Sequence, residues 1–321
     1  MSSKLLNLYI FNIIININTI FSYYQFNQFL LNKKSPIINK KYQKEINTIG
    51  KFFEYYPDIE FNNVICSIAK NEDLYINDWI QYHLNIGFNH IFIFDNNDKN
   101  FLIEIINENF LDKVTVFDIH KKQLMQFKAY DYFYKYFFDI IEWCAYIDID
   151  EFIVLKNWRN IEDFLNDKKF TKAQVIRLNW EIYGDDDLIE RNLSIPVYKD
   201  IKKRIKGHKY EWQGKSIVKG GILGLHFLNV SVHYPKIYNQ MPIQYMCDGT
   251  ITTDKIILSK LCNCAYINHY ITKTISEFLV QKYNRTDAAR NRILNLNYFW
   301  IINVKNNEKE QYIKKWIIKN K

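Results

Sequence analysis

At 321 residues and 48% hydrophobic content, the chain can hold one large α/β domain or two small ones, and it has neither a disordered nor a fibrous composition. Its formal net charge of +8 favours anionic substrates or membrane surfaces and is too modest to make nucleic acid an expected partner. The 17% aromatic content, with abundant Ile, Asn and Lys, reads as the mark of an AT-rich genome more than of function.

Residues 5–24 are the most hydrophobic N-terminal stretch, bracketed by Lys4 and Lys33-Lys34 in the outline of a signal anchor. Asn7, Asn12, Asn16 and Asn18 interrupt it, each costly in hydrocarbon, and no small-residue cleavage site follows. The segment therefore reads as a membrane-lying or core-packed helix rather than a span. It leaves membrane-surface association open for an otherwise cytoplasmic chain. Residues 33–60 are polar and charged and read as a connector, so 1–60 stand apart from the domain that follows. Of five cysteines, Cys66 and Cys144 sit in apolar strands as buried thiols. Cys262-x-Cys264 has no partner pair, which argues against zinc, and the odd count (Cys247 is the fifth) points to a reducing compartment.

Order begins with an apolar strand at 64–68. Asn71-Glu72-Asp73 can open a helix carried by Ile76, Trp79, Ile80 and Leu84 and stopped at Gly87. A strand at 91–94 ends in Asp95-Asn96-Asn97-Asp98, completing a βαβ unit of about 30 residues. It has no Gly-x-Gly-x-x-Gly and no Walker loop, against a classical dinucleotide or P-loop site. Next come a helix over 101–109, a strand at 114–117, and a long amphipathic helix within 123–143 using Phe127, Tyr130, Tyr134, Phe137 and Ile141.

The run from Trp143 to Val154 is apolar except for Asp148, Asp150 and Glu151, and reads as a central, doubly covered strand of a parallel sheet. On a strand Asp148 and Asp150 share one face while Ile149 points to the core. Paired oxygen ligands at the carboxyl end of a sheet strand suit a hard divalent cation, Mg²⁺ or Mn²⁺, and a phosphate-bearing substrate. A helix at Ile161, Phe164 and Leu165 and a strand at 175–180 continue an open, doubly wound α/β sheet. Asp185-Asp186-Asp187 is a loop, and 197–234 are rich in β-formers and basic residues. Thr274-Ile275-Ser276-Glu277 is a capping box. The chain from 285 to 321 reads as helical, with an amphipathic tail around Ile313, Trp316 and Ile317.

Six stretches occur in a telling order: Cys66-Ser67-Ile68-Ala69-Lys70-Asn71-Glu72, Trp79-Ile80-Gln81-Tyr82-His83-Leu84, Ile93-Phe94-Asp95-Asn96-Asn97, Tyr146-Ile147-Asp148-Ile149-Asp150-Glu151-Phe152, Lys215-Ser216-Ile217-Val218 and Asn268-His269-Tyr270-Ile271-Thr272-Lys273. In this order they resemble glycosyltransferase family 92 and its bacterial family-2-like relatives over roughly 62–290. Each alone is weak; six in order are specific. The resemblance implies a glycosyltransferase A-type fold: a Rossmann-like, mostly parallel sheet flanked by helices, with a β-rich acceptor-side region and C-terminal helices. It places that domain at 61–290 and a helical tail at 291–321. It also implies a nucleotide-sugar donor, a UDP-sugar by expectation, held through Mn²⁺ or Mg²⁺ at the Asp-x-Asp motif, and a glycan or lipid-linked acceptor. Asp150 would bind the metal, Asp148 the ribose or the metal through water, and His269 would be a further ligand, with His226 and His233 as rivals.

The remaining candidates have bland alternatives. Asp95 would contact base or ribose, or merely cap its own turn. Asn71 would touch substrate or cap a helix. Lys215 would bind diphosphate or lie on a solvated face. Lys219-Gly220-Gly221 and Asp185-Asp186-Asp187 depart from the family pattern. An inverting transferase needs a carboxylate base, for which Asp186, Asp248 and Asp254 are candidates; Asp248 is the choice, because it follows a Met-Cys turn in the later half, where the acceptor side of such folds lies. A phosphatase of the Asp-x-Asp type is disfavoured because Phe152 stands where Thr or Val is required. A nucleotidyltransferase would need a Gly-rich N-terminal loop absent here. A non-catalytic carbohydrate- or nucleotide-binding protein keeping the fold is the alternative.

Overall fold

The computed structural model describes residues 46–56, 58–120, 122, 125–285 and 293–303. In chain order the elements are α1 (Ile49–Tyr55), β1 (Phe61–Ala69), α2 (Ile76–Asn85), β2 (His90–Asp95), α3 (Leu102–Ile105), β3 (Val114–Asp118), α4 (Gln126–Phe137), β4 (Ile141–Tyr146) and β5 (Glu151–Leu155). Then follow α5 (Ile161–Leu165), β6 (Val175–Tyr183), α6 (Val197–Asp200), β7 (Gly214–Lys219), β8 (Leu225–His226), β9 (Lys236–Ile237), β10 (Gln244–Met246), β11 (Ile251–Thr252), β12 (Ala265–Tyr270), α7 (Ile275–Gln281) and α8 (Leu296–Asn303).

The main row of strands runs β11-β10-β6-β7-β4-β1-β2-β3. Within it β3, β2, β1, β4, β6 and β10 point one way, and β7 and β11 are reversed. This is the mixed α/β, mostly parallel architecture expected from the sequence. The far half of β6 pairs with β12, which also pairs antiparallel with β5. β6 is therefore shared: 175–179 lie beside β7, and 180–183 beside β12.

Period-two alternation sorts the core onto two faces. Ile65, Ile91, Ile93, Val114, Trp143 and Ala145 pack with α2. Val64, Cys66, Phe92, Phe94, Phe117, Cys144 and Tyr146 pack with α1 and α4. On this second face Phe52, Phe92, Phe133 and Phe137 form a ring cluster with centroids 4.4–5.8 Å apart. Such pairs contribute about 0.5–1.5 kcal/mol each beyond their buried area. Helix α1 thus belongs to the core, which corrects the reading of 33–60 as a connector throughout.

Several other boundaries move. Helix α2 starts at Ile76, not at Asn71, because Asn71 takes a positive φ of 57° and breaks the helical path. The 101–109 helix is only α3 plus one 3₁₀ turn at Glu108–Phe110. Helix α4 ends at Phe137, and Ile141 opens β4. The 197–234 region contains one six-residue strand, β7, with short helical turns and β8, whose partner β9 follows just beyond it. Cys264 is disulfide-bonded to Cys247, so the odd cysteine count does not carry the reducing-compartment argument. Cys66 and Cys144 are free and fully buried, as expected. The Thr274–Glu277 capping box is present. Among the described residues no helix is long and apolar enough to cross a membrane. Residues 5–24 and the tail at Ile313, Trp316 and Ile317 lie outside the described residues.

Gly214 lets β7 approach β6 closely. A Cβ there would lie 1.8 Å from the Leu178 carbonyl oxygen, so no side chain fits.

Two core histidines give the fold a pH signature. The His83 Nδ1–H donates to the Trp79 carbonyl at 2.9 Å, and its Nε2 accepts the Ile153 N–H at 3.5 Å, which defines the neutral tautomer. His90 Nε2 lies 2.8 Å from the Thr115 hydroxyl. Burial pushes both imidazoles down to about 3. The unfolded chain takes up these protons near pH 6.5, so the stabilisation is present above about 6.5 and is lost as pH falls toward 3. Each histidine contributes a slope of about 1.4 kcal/mol per pH unit in that window. We expect the urea midpoint to fall steadily from pH 6.5 to 5; a flat midpoint would refute the neutral assignment.

Candidate functional site

The chain moves outward from β1 to β2 and β3, then returns to the other side of β1 as β4. At such a reversal the loops leaving the two central strands diverge and open a crevice at their carboxyl ends, where open α/β sheets bind ligands. Asn71 and Glu72 follow β1, and Asp148 and Asp150 follow β4.

The apolar run 143–154 is not one strand. It turns at 147–150, with the Glu151 N–H donating to the Asp148 carbonyl at 3.1 Å, and re-enters the fold as β5. β4 pairs with β1 and β7, whereas β5 pairs with β12. The two aspartates consequently do not share a strand face, and each has its own partners.

Asp148 is about one-third exposed. One carboxylate oxygen accepts from Gln126 Nε2 at 2.6 Å and the Tyr130 hydroxyl at 3.3 Å; the other accepts from Lys215 Nζ at 2.9 Å. Asp150 is buried. Its Oδ2 accepts from Lys282 Nζ, which also donates to the Ile271 carbonyl at 2.6 Å. Its Oδ1 faces His269 Nε2 at 3.5 Å. Burial raises the Asp150 carboxyl, but Lys282, His269 and Lys273 outweigh it and hold it well below the usual range. Glu151 moves the other way: burial drives it well above the usual range, Lys215 opposes, and Asp148 and Asp150 add to the rise. Burial also lowers His269 against the pull of Asp150, favouring neutral imidazole. Its Nδ1 faces Glu151 Oε1 at 3.9 Å, and the Trp180 ring packs 4.4 Å away between centroids.

A second group of cations gathers around Glu72. Lys273 is fully buried over the Tyr75 ring, 4.0 Å from its centroid, with Nζ 3.3 Å from Glu72 Oε2. Arg285 Nη1 donates to the Lys70 carbonyl at 2.8 Å and lies 3.7 Å from Glu72 Oε1. The Tyr75 hydroxyl donates to Glu277 at 2.6 Å, tying this group to α7.

Among the described residues no three His, Cys, Asp or Glu side chains converge on one ion position. The Asp150–His269 pair nevertheless fits a divalent cation, because two ligands bound at about 2.1 Å to one ion lie about 3–3.5 Å apart. A hard ion bound by one carboxylate commonly completes its shell with waters and substrate phosphates. A neutral imidazole facing a second carboxyl group is the usual state of a histidine ligand.

The other sequence candidates fall at varied distances from this pair. Asp95 accepts from the Asn97 and Leu102 N–H groups, at 3.1 and 2.7 Å, as a turn cap does. Asn71 clips the β1 loop to the β2 loop through Asn97 and Asp98. Lys215 lies not on a solvated face but buried against Asp148. Asp186 follows β6, whose Ile182 pairs with His269, and accepts from the Lys202 N–H at 2.9 Å. Asp248 follows β10 and contacts Lys260 and the Thr250 N–H. Burial raises its carboxyl, but those two donors hold it down at about 2. Asp254 caps Ser259 at 2.7 Å. The ring of His233 bonds to the Gly214 carbonyl and that of His226 to the Gly224 carbonyl. Sequence reasoning missed Lys282, Gln126 and Tyr130. Lys273 closed a quoted motif without a role, and its position four residues after His269 was the available signal.

No family model matches the chain. It is 25% identical over 229 residues to a glycosyltransferase family 92 protein of Ricinus communis, covering 69% of this chain and 37% of that protein. The chain thus spans little more than a third of the curated relative's length. A solved structure, S. aureus TarS, aligns with 80% of this chain and 43% of its own, at 10% identity and a TM-score of 0.32. The chain is similar in sequence to glycosyltransferase family 92, the family its ordered motifs resemble.

Proposed function

We propose that the chain is a metal-dependent glycosyltransferase that moves a sugar from a nucleotide diphosphate, a UDP-sugar by preference, to a hydroxyl of a glycan or lipid-linked acceptor with inversion. The observation that carries this reading is the 3.5 Å approach of Asp150 Oδ1 to His269 Nε2 at the β1–β4 reversal. The sequence likeness to family 92 supports it.

Asp150 and His269 would hold Mn²⁺ or Mg²⁺, which when bound neutralises charge on the diphosphate as the glycosidic bond breaks. Glu151, kept toward its neutral form, buttresses the His269 ring. Lys215, Gln126 and Tyr130 orient Asp148 toward the donor ribose. Inversion needs a base to accept the acceptor hydroxyl proton. We assign it to Asp186, which follows the strand beside His269; Asp248 lies one strand further out, and a carboxyl held at about 2 is a weak base. Membrane-surface association through residues 5–24 remains part of the proposal.

The test is titration of the purified chain with UDP and UDP-sugars, with and without Mn²⁺, followed by turnover. Metal-coupled UDP binding and transfer are expected. Absence of nucleotide binding under every metal condition would remove the reading. Binding without turnover of any donor would make the chain a binding protein that keeps the fold.

A further inference from the structure

Around Asp150, the fold has placed cations of its own. Lys282 donates to the Asp150 carboxylate and to the Ile271 carbonyl, and Lys273, one element earlier, is near enough to act on both Asp150 and Lys282. The Asp150 carboxylate is thus already paired with the Lys282 ammonium, and Glu72 with Lys273 and Arg285. Such a site is already compensated before any metal arrives. A divalent cation at Asp150 and His269 would sit beside the Lys282 ammonium in a poorly solvated crevice, where like charges repel strongly. Lys282 stands at the C-terminal cap of α7 on a flexible four-carbon stem, so its head can move while its backbone stays fixed. The anion that would receive it is the donor diphosphate.

We propose that Lys282 is a displaceable counter-ion: it holds Asp150 in the donor-free protein and passes to the diphosphate when the metal and nucleotide sugar bind, with Lys273 as its fixed companion. This rests on the glycosyltransferase reading and adds a substrate-contacting residue to it. It makes metal and nucleotide binding mutually dependent, because the metal releases the cation that the diphosphate then takes.

The experiment measures Mn²⁺ binding without nucleotide, then UDP and uridine binding at saturating Mn²⁺, in the wild-type chain and in Lys282→Gln. The glutamine keeps an amide donor for Ile271 and Asp150 but drops the charge. Lys282→Gln is expected to bind Mn²⁺ about 10-fold more tightly and UDP about 10-fold more weakly, with uridine unchanged because it lacks the diphosphate. Lys282→Met should move both affinities in the same directions, and serves if the glutamine variant does not fold. Unchanged Mn²⁺ affinity, or equal weakening of UDP and uridine, overturns the counter-ion role. If the wild-type chain binds neither Mn²⁺ nor UDP, the glycosyltransferase reading itself falls, a result distinct from normal wild-type binding with a neutral Lys282 variant.

Discussion

Asp150→Asn should reduce turnover of a UDP-sugar in Mn²⁺ by about 10³-fold, the scale on which enzymes lose rate when charge stabilisation at the leaving group is removed. Asparagine has nearly the same shape, but its amide is a poor ligand for a hard cation. It also leaves Lys282 without its counter-charge. Asp148→Asn should cost less, because Asp148 is about one-third exposed and already occupied by Lys215, Gln126 and Tyr130. Initial rates at saturating donor and Mn²⁺, with circular dichroism as the folding control, decide the matter. If Asp150→Asn retains turnover within about threefold of wild type, the assignment of the site to Asp150 is wrong.

The second large effect is on stability. Lys215→Met should lower the melting temperature by roughly 2–5 °C, since a hydrogen bond between charged groups is worth about 1.5–3 kcal/mol and a chain of 321 residues loses about 1.5 °C per kcal/mol. Lys215 is 1% exposed, with Asp148 at 2.9 Å and Glu151 at 3.8 Å. Glu151→Gln should be nearly neutral by the same measurement, because burial already drives that carboxyl toward the form the amide mimics. Lys219→Met, at the partly exposed end of the same strand, is the control. Equal melting temperatures for the Lys215 and Lys219 variants would show that no buried ion pair holds this part of the sheet.

Much of the framework was legible in the residues. Strands β1, β2 and β3 are short apolar runs closed by polar residues, α2 carries helical spacing, and Thr274 and Glu277 stand at capping distance. The acids after β4 were visible because carboxylates are expensive inside aliphatic sequence. The turn at 147–150 was hidden for the same reason: Ile147 and Ile149 stay buried through it, so hydrophobicity continues where the backbone does not. No Gly, Pro or Asn marks the change of direction. Lys282 looked like an ordinary solvated lysine, and Lys215 stood open between diphosphate binding and a solvated face, because only the folded chain brings their heads to acids 132 and 67 residues away. The Cys247–Cys264 bond was missed because its partners lie on opposite sides of a 17-residue separation.

The division of labour along β6 has a mechanical meaning. Asp148 and Lys215 ride with β4 and β7, whereas Asp150 and His269 ride with β5 and β12, and β6 is the beam to which both platforms are bolted. Ile149 and Glu151 join the platforms on the acidic side, Glu151 accepting the Asp148 N–H at 3.2 Å and lying 3.9 Å from His269. Twisting the far half of that beam would shift the histidine and its aspartate as a unit relative to Asp148. A change in the twist of β6 would therefore be felt first as a change in the gap between the two pairs.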